Sequence, residues 1–138
     1  MVKAAFYIGS GNYFDKIIRW RTSSDVSHVE LIVDGTMFSS SPRDGGVRLK
    51  VPPTYMKNWR IVDIPNVTNA SIYEFFDQTR GASYDWLGAI AGAGAAVDIQ
   101  AKNKWFCSEW CAHALGFENG WRFTPASLEV VLNNKILY

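Results

Sequence analysis

Apolar residues recur along the chain with two alternating periods. Phe6-Tyr7-Ile8 is a short apolar run that predicts a first strand, and Gly9-Ser10-Gly11 turns the chain after it. Tyr13, Phe14, Ile17, Ile18 and Trp20 then follow at the spacing of a short amphipathic helix, which the polar stretch Arg21-Thr22-Ser23-Ser24-Asp25 ends. In Ser27-His28-Val29-Glu30-Leu31-Ile32-Val33, polar and apolar residues alternate with strand period before an apolar run. Asp34-Gly35 is a two-residue hairpin signal, and Thr36 to Ser41 runs back from it. Pairing Val33 with Thr36 places His28 opposite the region of Ser40 and Ser41.

Farther along, Pro42 to Gly46 reads as a loop, Val47 to Val51 as a strand broken by Pro52-Pro53, and Trp59 to Ile64 as a strand closed by Pro65. Thr68 to Arg80 predicts a helix capped by Asn69 or Ser71, with Ile72, Phe75, Phe76 and Thr79 inward and Gly81 after its end. Ser83 or Asp85 then caps a run from Trp86 to Val97, read as a helix of a soluble protein with part of it irregular, because Gly88, Gly92 and Gly94 each cost helix propensity of about 1 kcal/mol. A helix from Cys107 is stopped by Gly116, and Thr124-Pro125 has the form of a cap followed by proline in the first turn. Four or five antiparallel strands with flanking helices make an α+β fold, and 138 residues without repeat or linker make a single domain, 1–138.

Composition narrows the function classes. With 48% apolar and 20% charged residues the chain is globular, and a net charge of +1 without a basic stripe argues against a nucleic-acid partner. The first ten residues lack the roughly 7–15 residue apolar centre of a secretory peptide, so the default expectation is cytoplasmic. The longest uncharged run, Trp86 to Val97, is far short of the about 20 residues of a transmembrane helix. Cys107 and Cys111, four apart on one helix, have poor geometry for a disulfide, which fits a reducing compartment.

The candidate chemistry lies in Trp105-Phe106-Cys107-Ser108-Glu109-Trp110-Cys111. Cys107 falls at a helix N-terminus, where free backbone N–H groups and the helix dipole favour a thiolate, so it is expected to titrate well below the roughly 8.5 of a free thiol. The same position also suits a buried thiol packed under Trp105 and Trp110, and the stretch by itself leaves both readings open. A nucleophilic thiolate needs a base, and the chain has two histidines. His113 lies six positions along the same helix, turned off the cysteine's face and lifted by roughly 9 Å, which leaves His28 at the mouth of its strand. Zinc ligation by Cys107, Cys111 and His113 fails because their spacing does not bring all three onto one face, and no metal or other cofactor is called for.

Seven short stretches together carry a family resemblance: Phe6-Tyr7-Ile8-Gly9, Ile17-Ile18-Arg19-Trp20, Ser27-His28-Val29, Gly45-Gly46-Val47, Gly81-Ala82-Ser83-Tyr84-Asp85, Phe106-Cys107-Ser108-Glu109 and Pro125-Ala126-Ser127-Leu128. In this order they resemble the permuted NlpC/P60 papain-like family, its YiiX/YaeF-type branch, in which the histidine strand precedes the cysteine helix. The resemblance implies a circularly permuted papain-like fold, an antiparallel sheet with the nucleophile helix packed on it. It implies a cysteine hydrolase, of the peptidase or amidase type, acting on a peptide, amide or acyl-ester substrate through a thioester acyl-enzyme. Cys107 would be the nucleophile, His28 the general base, and the backbone N–H groups of Cys107 and Ser108 the oxyanion donors. The family's orienting residue, a Glu or His, falls here on Ser40, which carries no charge to steady an imidazolium. Glu30 is the alternative third group, although a spacing of about 7 Å along the strand makes direct contact awkward and a solvated strand residue is the plainer expectation. Tyr84, from the family's Tyr-Asp pair, either lines the substrate cleft or packs, and Trp105 and Trp110 either form a substrate pocket or belong to the core. Arg19 and Arg43 are candidates to meet a substrate carboxylate or ordinary surface groups. Two further readings stay open: a lipid acyl hydrolase or acyltransferase, and a non-catalytic binding module that keeps the fold. A cell-wall substrate would require release by lysis or delivery by a phage or secretion machine.

Overall fold

The hairpin at Asp34-Gly35 sets the register of the sheet. Both residues take positive φ, 48° and 74°, as a two-residue turn of strands with the native twist requires, and Val33 pairs with Thr36 across it. In the computed structural model, which describes residues 1–86, 89 and 104–135, this hairpin joins β2 (His28–Val33) to β3 (Thr36–Ser41). β1 (Val2–Tyr7) and β5 (Trp59–Ile64) extend the sheet on one side, and β4 (Gly46–Lys50), β6 (Ser83–Tyr84) and β7 (Lys104–Trp105) on the other, in the order β5-β1-β2-β3-β4-β6-β7. Every pairing is antiparallel except that of β6 with β7.

The two short strands are the main departure from the expected four or five. Two-residue strands carry too little pattern to be read from the sequence, and they form because β4 offers an edge to β6 and β6 in turn to β7. Gly46 makes this possible: at φ 147° it lies so close to the Ala82 carbonyl that a Cβ would overlap it, while Val47 N–H donates to that carbonyl at 2.9 Å.

Four α-helices among the described residues cover the sheet. α1 (Tyr13–Thr22) begins at Asn12 with a reciprocal cap in which Asn12 Oδ1 accepts from Asp15 N–H and Asp15 accepts from Asn12 N–H. Of its expected apolar positions, Ile18 is buried, whereas Ile17 and Trp20 are exposed. α2 (Asn69–Thr79) is capped by Thr68, one residue before the expected candidates, and buries Ile72 and Phe76. α4 (Pro125–Lys135) starts where Thr124-Pro125 predicts, with Ser127 N–H donating to Thr124 Oγ1. Its Leu128 and Leu132 enter the core.

The remaining helix, α3 (Cys107–Ala114), is buried on nearly every face, with Trp110, Cys111 and Ala112 fully enclosed. It packs against β2, β3, α2 and α4. Trp110 stacks obliquely on Phe75 and its indole N–H donates to Thr79 Oγ1 at 2.8 Å, so its one polar atom is satisfied inside the core. Removing such a side chain costs about 3–5 kcal/mol. Gly116 takes φ 86° just past the end of α3. The expected run from Trp86 to Val97 lies, apart from Trp86 and Ala89, outside the described residues. Among the described residues no helix is long and apolar enough to cross a membrane.

Candidate active site

His28 opens β2 beside Tyr7 of β1, and Cys107 opens α3 after Phe106 in extended conformation, so a strand end and a helix start converge. Phe106 supplies no side-chain cap, and the first N–H groups of α3, those of Cys107 and Ser108 among them, have no intrahelical partner. The Ser108 hydroxyl donates to the Phe123 carbonyl at 2.6 Å, tying this turn to the segment before α4.

The structure brings His28 into contact with two groups at once. Its Nε2 lies 2.8 Å from Glu30 Oε1, and the Cys107 sulfur is near enough to act on the same imidazole. Burial pulls the imidazolium down, but the influence of Cys107, and then of Glu30, outweighs burial and holds His28 up at a pKa of about 9.

Glu30 is fully buried, contrary to the expectation of a solvated residue, and the reach of the two side chains closes the strand spacing thought to separate it from His28. Burial alone would raise its pKa. Two parallel bonds from Arg48, at 2.7 and 2.6 Å, together with His28, hold it instead at about 2. Arg48 reaches Glu30 across β3 at Ser39, its small pairing partner, and also bonds Asp44 at 2.7 Å. Lys50 stands 3.7 Å from Glu30.

Ser40 is placed differently from the orienting role expected of it. Its hydroxyl donates to the Trp105 carbonyl at 2.6 Å and so joins β3 to β7. Trp105 and His113 meet edge-on at 5.3 Å, with Phe75 against both, on the side of α3 that His113 occupies. Trp110 is in the core. Neither tryptophan borders the cavity beside Cys107, whereas Tyr84 does. Cys111 is enclosed, and burial raises its thiol pKa far above the ordinary value, so it stays protonated. Arg43 pairs with Asp15 at 3.1 Å, and Arg19 is bound to the Gly9 and Ser10 carbonyls.

Two cavities meet at this site. An open cleft of about 380 Å³ has His28 on its wall with Tyr7, Tyr55, Trp59, Arg43 and Lys50. A slot of about 20 Å³ on the other side is bordered by Cys107 with Ile18, Tyr84, Phe106 and Phe123. Arg48, Asp44 and Trp59 are site residues that sequence reasoning passed over. The signal for the first was present: an acidic residue inside the apolar stretch Val29-Glu30-Leu31 needs a cation, and Arg48 and Lys50 alternate on a nearby strand. Among the described residues no three His, Cys, Asp or Glu side chains converge as metal ligands. The chain matches no known family model and no curated protein.

Proposed function

We propose that this chain is a cysteine hydrolase of amide or ester bonds on a circularly permuted papain-like fold, with Cys107 as nucleophile, His28 as general base and Glu30 as the group that orients and charges His28. The observation that carries the reading is the single imidazole bonded to a buried carboxylate and set against the Cys107 sulfur at the start of a helix. A merely structural histidine has no need of that arrangement at a helix N-terminus. His28 takes the Cys107 proton, the sulfur attacks the substrate carbonyl, and the N–H groups of Cys107 and Ser108 receive the negative oxygen. His28 then returns the proton to the leaving group, and the thioester passes its acyl group to water or another acceptor.

The chemistry orders the substrate. The acid that protonates the leaving group faces the 380 Å³ cleft, so the leaving group lies there and the acyl group enters the slot beside Cys107. The binding-module alternative drew on the missing charge at Ser40, and a buried Glu30 beside His28 removes that ground. The test is alkylation by iodoacetamide, located by peptide mass spectrometry. Cys107 should react, Cys111 should not, and His28→Ala should slow Cys107 at least about tenfold at pH 7. Equal rates in the two proteins would leave the thiol without a base and sink the proposal.

A further inference from the structure

Ser27 is the residue shared by the linings of the His28 cleft and the Cys107 slot. It is 2% exposed, and its hydroxyl is, among the described residues, a buried side-chain oxygen without a hydrogen-bond partner. Its backbone is fixed, with Ser27 N–H donating to the Tyr7 carbonyl at 3.1 Å. Burying an idle hydroxyl costs about 1–3 kcal/mol, so its persistence at the meeting point of two cavities calls for a partner that arrives with the substrate.

We propose that the Ser27 hydroxyl donates a hydrogen bond to the oxygen of the carbonyl that Cys107 attacks, acting as a side-chain oxyanion donor beside the helix N–H groups. This rests on the hydrolase reading above. In the step concerned, the Cys107 proton passes to His28 and the sulfur bonds the carbonyl carbon. The carbonyl π pair moves onto oxygen, where the Ser27 O–H meets it. Collapse reforms the carbonyl and expels the leaving group, which carries away the electron pair of the broken bond and takes the proton from His28.

Two reagents separate this role from any other. p-Nitrophenyl acetate presents a small acyl group to the slot and an aromatic leaving group to the cleft, and its reaction generates an oxyanion. Methyl methanethiosulfonate modifies the same sulfur by attack at sulfur, with no carbonyl involved. Acetylation and thiomethylation of Cys107 would be followed by intact mass in the wild type, Ser27→Ala and Ser27→Thr, with Tm recorded for each. The expected result is that Ser27→Ala slows acetylation at least about tenfold, leaves thiomethylation within about twofold, and does not lower Tm, since it removes an unpaired hydroxyl. Ser27→Thr, which keeps the donor, should acetylate faster than Ser27→Ala. Unchanged acetylation in Ser27→Ala overturns the inference, and so does equal slowing of both reactions, which would make Ser27 a support for the Cys107–His28 geometry. A wild type that is thiomethylated but never acetylated overturns the hydrolase reading itself, and this inference with it.

Discussion

His28 is where the opposing effects at this site are decided. Burial disfavours the imidazolium, and the Cys107 sulfur and Glu30 restore it, so removing either partner should let burial win. Cys107→Ala and Glu30→Gln are each expected to bring the His28 pKa down from about 9, read from the imidazole signals in an NMR titration. An unchanged titration in either variant would show that the partner concerned does not act on the ring. Glu30→Gln carries a second cost, because Arg48 is left largely buried with Asp44 as its charged partner. A loss of about 3 kcal/mol in urea unfolding is expected.

The Cys107 helix shows how an element can be legible in its ends and opaque in its surroundings. Its start at Cys107 and its stop at Gly116 follow from local chemistry, and both stand in the sequence. That α3 is enclosed on all sides does not, because burial depends on α2, α4 and the sheet arriving around it. Glu109 records the consequence. Burial raises its carboxyl to about 7 against the pull of the Phe106 N–H, with a smaller push from the nearby Asp85 charge. A carboxyl with a raised folded-state pKa contributes stability below its ordinary 4.5 and loses that contribution as pH rises through about 7. Glu109→Gln keeps an acceptor for Phe106 N–H and has no proton to lose. It should therefore be more stable than wild type by about 2 kcal/mol at pH 8 and nearly equal at pH 4.5, measured by urea unfolding. Equal stability at pH 8 would mean that water reaches the carboxylate.

For the whole molecule, the sign of each limb of the pH–stability curve follows from the direction of these shifts. Glu30, lowered to about 2 chiefly by Arg48 against burial, contributes fully above 4.5 and is lost as pH falls through about 2. Asp25 and Asp44, lowered by Arg60 and Arg48 respectively, add to the same acid limb. Glu109 supplies the opposite limb above 4.5. His28, raised to about 9, adds to the alkaline limb, with its contribution full below 6.5 and lost as pH rises through about 9. Thermal unfolding from pH 2 to 8 should show a maximum near pH 5, moving upward in Glu109→Gln; a wild-type maximum at pH 7 or above would contradict the assignment of Glu109.

The sequence by itself determined what local chemistry determines. It set the hairpin at Asp34-Gly35, the strands it joins, and the starts of α3 and α4, and it singled out Cys107 and His28 as the candidate pair, because turn residues, caps and helical spacing act over a few neighbours. The tertiary structure decided the rest. Whether Glu30 or Ser40 faces His28, where Arg48 goes, and which tryptophans are core are questions of contact between segments far apart in the chain, 18 residues for Glu30 with Arg48 and 65 for Ser40 with Trp105. A carboxylate between Val29 and Leu31 is compatible with water or with a buried cation, and only the approach of β4 across β3 selects the second. The same holds for Ser27, whose hydroxyl becomes notable only when every other buried polar side-chain atom around it among the described residues has found a partner.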